Sequence, residues 1–332
     1  MTTSNRPHLH DIERLTGAAI LLVVIGHLVT GYDINAQGLG WYKFLKSLIY
    51  SFHMPLFMFV SGYIMFYTFP EIQELSDYAL YIKRKFLRLM PSYLVFAAVI
   101  FVSKFYLDKY LPIDNPVRDS VSFSDAFVKP AASYAGFLWY VYVLFEYYIL
   151  IPVALLVLKN RIELLVVLSL PLHFINFPDI IALDLFFEFL IFFTLGMLAV
   201  KHSGRYLAFI DRYSHLVVII FVLMCLGYFF YKIPKLIMGL AAIPALHSII
   251  RKYFISRRKS ILSLFGIYSF SIYLMNTLAS GFVKAIGFKY LNWSYENFFL
   301  PALVMICCGL LIPIGIKKYI INKIPIINKY IG

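Results

Sequence analysis

Gly17-Ala-Ala-Ile-Leu-Leu-Val-Val-Ile-Gly-His27 and Phe52-His53-Met-Pro-Leu-Phe-Met-Phe-Val-Ser-Gly62-Tyr63 are the stretches on which the reading of this chain turns. Both runs are apolar enough for hydrocarbon, and each carries a histidine. An ionisable group at membrane depth is costly to hold and by default marks a functional site. A lone histidine there is ordinarily explained by a hydrogen bond to a neighbouring helix. Two at one depth favour function.

Working outward, 61% of the 332 residues are hydrophobic and 14% are charged. Mean hydropathy is +0.80. Soluble domains are about half apolar and a quarter charged. The fold class is therefore all-α: a polytopic membrane bundle of ten spans, near 15–33, 44–67, 90–107, 135–158, 162–176, 180–200, 214–231, 234–250, 260–283 and 298–319. With the N-terminus inside, the inner segments hold 20 Lys and Arg and the outer ones 10. That bias predicts N-in, C-in topology. It also accounts for the net charge of +13 without a nucleic-acid partner. Cys225, Cys307 and Cys308 fall in apolar runs, which argues against a disulfide framework or a metal site. Residues 1–13 are polar, with no apolar run before them, so no cleaved signal peptide is expected. Residues 1–332 read as one transmembrane domain with no appended soluble domain. The longest outer loop, near 108–134, carries Asp108, Asp114, Asp119 and Asp125 and reads as a solvated linker.

At ~1.5 Å of rise per residue, His27 and His53 both lie about 9–14 Å below the outer boundary. Glu146, Asp184 and Glu188 fall at similar depth on other spans. Such groups usually line an interior cavity. Glu146, within the aromatic run Trp139 to Tyr148, either orients a histidine or pairs with another helix. Lys83, Arg84, Lys85 and Arg88 form a basic cluster entering span three, and Arg251, Lys252, Arg257, Arg258 and Lys259 form another on the same side. Both suffice as topology signals, and both suit phosphate groups. Ser61 and Gly62 are explained by helix packing. Tyr32, Trp41, Tyr42, Trp139 and Trp293 read as an interfacial aromatic belt, with sugar stacking the alternative.

Five blocks carry a family resemblance: Ile12 to Gly17 with the run to His27; Phe52 to Phe57 with Phe59 to Tyr63; Lys85 to Pro91; Leu138, Trp139, Tyr140 and Tyr142; and Tyr268 to Leu274. The chain resembles the membrane acyltransferase-3 family, ten-span bacterial O-acyltransferases of surface glycans that include fucose 4-O-acetylase-like members. The first two blocks together are fairly specific. The resemblance implies a bacterial inner-membrane enzyme that moves an acyl group, usually acetyl, from cytoplasmic acyl-CoA to a hydroxyl of a glycan or lipid-linked sugar. Acyl-CoA is then a donor substrate and no cofactor stays bound. The family's catalytic histidine matches His27, and its basic pair matches Lys85 and Arg88, with Lys in place of one Arg. Two departures stand out. The family arginine separated from the histidine by ten positions is Thr16 here, with Arg14 as a substitute donor contact. A histidine that often follows the last block is Asn276, so catalysis is not expected to need that position.

On this reading Arg14, Arg84, Lys85, Arg88, Arg257 and Arg258 hold the donor's phosphates. His27 acts as base or accepts the acyl group, and His53 or Glu146 orients it or moves the proton. Direct transfer and an acyl-histidine both stay open. The rival class is a glycan or lipid-linked sugar transporter using the same charges as a proton relay. A family member that binds without catalysis is the third reading.

Overall fold

The computed structural model describes residues 8–29, 36–70, 72, 74–110, 117, 122–254, 260–325, 327 and 328. The elements are helices, with no strand among the described residues. In chain order they are α1 (His10–Gly26), α2 (Gly40–Tyr50), α3 (His53–Tyr67), α4 (Leu75–Leu107), α5 (Asp125–Val128), α6 (Trp139–Val157), α7 (Ile162–Leu172), α8 (Leu183–Lys201), α9 (Ser203–Arg212), α10 (Ser214–Gly227), α11 (Lys235–Ile249), α12 (Ile261–Ile267), α13 (Ser269–Tyr290) and α14 (Phe299–Tyr319).

Among the described residues, five helical stretches are long and apolar enough to cross a membrane: Gly40–Tyr67, Leu75–Leu107, Gly136–Val157, Ile180–Lys201 and Phe299–Lys323. The number rises to seven if the bent pairs α9–α10 (73°) and α12–α13 (88°) each count as one span. The sequence predicted ten. The shortfall has local causes. The run expected over 162–176 yields only the 11-residue α7. The run over 234–250 begins after Pro234 and gives the 15-residue α11. The run over 15–33 yields the 17-residue α1, and part of it lies outside the described residues.

The bundle is built around α3. From His53 to Tyr63 every residue of α3 is buried, as expected of a helix apolar on all sides and enclosed by others. Its closest neighbour is α8. A methyl group on Gly62 would collide with the Phe193 carbonyl oxygen, and one on Gly196 with the Phe59 carbonyl oxygen. Two glycines facing each other's backbones let these helices touch main chain to main chain. Ser61 adds a lateral tie: its hydroxyl donates to the Phe57 carbonyl at 2.7 Å and lies 2.6 Å from the Tyr140 hydroxyl on α6. The same device joins α1 to α12, where Gly17 meets the Leu262 carbonyl and Gly266 the Glu13 carbonyl.

The 33 residues of α4 extend about 50 Å, well beyond a hydrocarbon core of about 30 Å. Glu74 and Asp77 cap its start reciprocally. The first half carries the exposed Lys83, Arg84 and Arg88, and the second half is apolar. Tyr42 and Lys46 of α2 finish the end of α1. The Tyr42 hydroxyl donates to the Ile25 carbonyl (2.9 Å) and accepts from the Leu28 amide (3.0 Å), while Lys46 donates to the Val29 carbonyl (2.6 Å). These contacts satisfy backbone groups that a helix end leaves open, and they fix the backbone on either side of His27.

Candidate active site

His27 stands at the C-cap of α1 and His53 opens α3, so both sit where a helix ends or begins beside α2. Their rings meet edge to face with centroids 6.5 Å apart. Tyr50, the last residue of α2, lies against both, at 5.7 Å from His27 and 4.8 Å from His53. His27 Nδ1 is 2.6 Å from the Val23 carbonyl, and His53 Nδ1 is 2.9 Å from the Ile49 carbonyl. A carbonyl can only accept, so in each ring Nδ1 carries the hydrogen. In the neutral ring that leaves a lone pair on Nε2, and neither Nε2 has a hydrogen-bond partner among the described residues. Two bases of fixed tautomer are thus presented together.

Both histidines line a cavity of about 570 Å³. Its other walls come from Ile100 to Leu107 of α4, the segment 131–139, Leu185 and Phe189 of α8, Lys235, and one face of α13 from Tyr273 to Ala285. Trp139 stacks on Phe189 at 5.2 Å. The size is that of a small-ligand pocket, about 300–1,000 Å³.

The remaining candidates divide by place. Glu146 is not among the residues lining the cavity. One of its carboxyl oxygens is buried on α6 with no hydrogen-bond partner among the described residues, so it does not orient His27 in this arrangement. Glu188 pairs with Lys235 at 2.5 Å, at the cavity's edge. Asp184 has a buried oxygen with no hydrogen-bond partner among the described residues. Lys85 lies over the Tyr148 ring at 4.2 Å and near that of Tyr81 at 5.4 Å, a cation–π seat. Arg84 and Arg88 flank it, exposed. Arg88 precedes Lys104 on the cavity wall by sixteen positions of α4, about 24 Å along the helix axis. Basic cluster and histidines therefore occupy different ends of α4. Arg14 is 1% exposed and donates from Nε to the Ser263 hydroxyl at 3.1 Å, inside the α1–α12 contact. Thr16 donates to the Ile12 carbonyl of its own helix. Asn276 donates to the Ile272 and Tyr273 carbonyls. Arg257, Arg258 and Tyr32 lie outside the described residues. Trp41, Tyr42 and Trp293 pack in a separate cluster with Phe298, away from the cavity. No group of three metal-ligating side chains occurs among the described residues.

A second polar centre escaped the sequence reading. His247 of α11 is fully buried. Its Nε2 lies 3.3 Å from an Asp11 carboxylate oxygen, and its Nδ1 lies 3.0 Å from the Tyr206 hydroxyl. The carboxylate accepts, so in the neutral ring Tyr206 donates to Nδ1 and Nε2–H donates to Asp11. Arg251 also donates to Asp11 (3.0 Å) and grips Asp211 through two nitrogens, at 2.9 and 2.8 Å. The hydrogen bonds to Asp211 and then to Asp11 push the Arg251 pKa up against the opposing effect of burial. Asp11 and His247 are 236 positions apart, so no local pattern links them. Tyr50 went unread because an aromatic residue inside an apolar run carries no signal of its own, and Lys104, Lys235 and Lys284 because lysines near span ends count toward topology.

A family model described as an acyltransferase domain matches residues 9–318. Among curated proteins, the nodulation protein NolL of Mesorhizobium japonicum (strain LMG 29417 / CECT 9101 / MAFF 303099) is 40% identical over 62 residues. That match spans 19% of this chain and 16% of NolL. No solved structure matches the chain.

Proposed function

The chain belongs to the acyltransferase-3 family, and from that premise we propose that it is a bacterial inner-membrane O-acyltransferase. On this reading it moves an acetyl or other short acyl group from cytoplasmic acyl-CoA to a hydroxyl of a surface glycan or lipid-linked sugar. The observation that carries the proposal is the meeting of His27 and His53 at one cavity, each with Nδ1 tied to a carbonyl and Nε2 available.

The phosphates of acyl-CoA bind Lys85, Arg84 and Arg88, with Arg257 and Arg258 on the same side by the charge bias of the sequence. The thioester extends toward the cavity. His27 Nε2 takes the proton of the acceptor hydroxyl as its oxygen forms a bond to the acyl carbon. The C–S bond breaks, and the departing thiolate receives that proton. His53, 6.5 Å away ring to ring, stabilises the charged His27 through Tyr50 or shuttles the proton. An acyl-His27 intermediate uses the same atoms in two steps. Ten spans and N-in, C-in topology belong to this proposal; they put the basic cluster inside and the cavity toward the outer face.

The deciding experiment follows label from radiolabelled acetyl-CoA into membrane glycans, using purified protein in vesicles. Wild type is expected to transfer label, and His27→Ala to lose transfer while keeping its melting profile. Equal transfer by both would remove His27 from the chemistry. A transporter predicts sugar movement with no dependence on acyl-CoA.

A further inference from the structure

The histidine cavity is polar inside and apolar at its mouth. His53, Tyr273 and Ser280 line it as buried residues. Among the described residues, the lining positions that are exposed are Ala131, Ala132, Gly281 and Phe282. None of the four carries a charge or a hydroxyl. Two ties hold α13 on either side of this mouth. The Tyr273 hydroxyl donates to the Phe137 carbonyl, and Lys289 donates to the carbonyl of Tyr110, just past α4, at 2.7 Å. Gly281 and Phe282 lie between those ties. A methyl group on Gly281 would meet nothing within 4 Å, and Phe282 is 52% exposed. The cavity therefore opens through the side of the bundle, beneath the tie that joins the ends of α4 and α13.

Phe282 precedes the end of α13 at Tyr290 by eight positions, about 12 Å of helix. With α13 as a span in a hydrocarbon core of about 30 Å, a side opening at that depth faces lipid chains. Val102 and Phe105, in the last turns of α4, are exposed as well, so the mouth continues an apolar outer surface. Resting on the acyltransferase reading, the geometry points to an acceptor that is an amphiphile, a sugar carried on a hydrocarbon chain. The sugar enters sideways past Gly281 and Phe282 and lies among the polar groups near His27. Its chain trails through the mouth into the bilayer. A free glycan would have to shed the water from its hydroxyls and cross hydrocarbon to use the same opening, which is costly. A long acyl chain on the donor is the other hydrocarbon of this shape. It would bring the thioester in far from Lys85 and Arg88, which stand toward the opposite end of α4.

Trp139 lines the cavity, so its fluorescence reads occupancy directly. Full-length protein carrying Trp41→Phe and Trp293→Phe, in phosphatidylcholine nanodiscs, is titrated with dodecyl glucoside, methyl glucoside, 1-dodecanol and dodecanoyl-CoA. The expected result is that dodecyl glucoside saturates the signal about tenfold or more below methyl glucoside, and below 1-dodecanol, which controls for partition of the chain into lipid. Gly281→Phe fills the mouth where no neighbour stands. It should keep the parent's melting profile and weaken dodecyl glucoside about tenfold or more, the scale of two methylenes kept from their site. Gly281→Ser should leave binding unchanged. Methyl glucoside or 1-dodecanol binding as tightly as dodecyl glucoside overturns the proposal. So does Gly281→Phe leaving dodecyl glucoside untouched, and if dodecanoyl-CoA is weakened instead, the mouth belongs to the donor's chain. The comparison of ligands on the parent protein holds even if Gly281→Phe misfolds. Preference for dodecyl glucoside without label transfer from acetyl-CoA would refute acyl transfer and leave the lipid-facing mouth standing. Transfer to methyl and dodecyl glucoside alike, indifferent to Gly281→Phe, would do the reverse.

Discussion

His53 differs from His27 in setting. It is 2% exposed, whereas His27 is half-buried at the cavity. If His27 is the base, His53→Gln should lower kcat and leave the KM for acyl-CoA unchanged, because the loss falls on the transition state. The fall should be smaller than the ~10²–10⁴-fold typical of removing a general base. Steady-state kinetics of both variants check the order. Arg14 makes the opposite prediction. Its guanidinium serves the α1–α12 contact, so Arg14→Gln should lower the melting temperature and preserve transfer per folded molecule. A raised KM for acyl-CoA would return Arg14 to donor binding. Asp11→Asn takes the charge from beneath His247 and Arg251 and should cost about 1–3 kcal/mol, read by thermal unfolding in detergent.

At the scale of elements, the sequence made the two histidine-bearing runs legible because a polar group in an apolar run stands out whatever its neighbours. It did not show the break at Ser51 and Phe52 that places His53 at a helix start, or the 88° turn between α12 and α13. Leu264-Phe-Gly-Ile267 before that turn and Ile272-Tyr-Leu-Met275 after it are alike apolar, and hydropathy carries no information on direction. The backbone contact between α3 and α8 was half legible, since Ser61 and Gly62 read as packing residues but their partner Gly196 did not. Gly62→Ala and Gly196→Ala should each cost about 1–3 kcal/mol, the usual range for overpacking. The double variant should cost less than the sum, because the first methyl already parts the helices. Melting curves of the three proteins decide.

Across the whole molecule, the long α4 separates two groups of positive charge. One, around Lys85 and Arg88, is the proposed seat of the donor's phosphates; the other, Lys104 and Lys284, stands on the wall of the histidine cavity. Counting charges for topology put them in opposite compartments and treated both as orientation signals, which is why the second group went unread. Lys85→Gln with Arg88→Gln should raise the KM for acyl-CoA about tenfold or more with little change in kcat. Transfer assays across a range of acetyl-CoA concentrations check it. A fall in kcat at unchanged KM would move the donor's phosphates elsewhere.

The clasp between α1 and α12 also has a consequence for biosynthesis. α1 is made before α11 and α12, and it carries Arg14 and Asp11. The Ser263 that receives Arg14 follows 249 positions later, and His247 follows Asp11 by 236. Until α11 and α12 are made, the contacts of Asp11 with His247 and of Arg14 with Ser263 cannot form. Nascent chains in that condition are the ones cells stabilise or destroy. A chain halted after α10 should therefore be degraded in vivo, and supplying residues 235–332 as a separate polypeptide should rescue it.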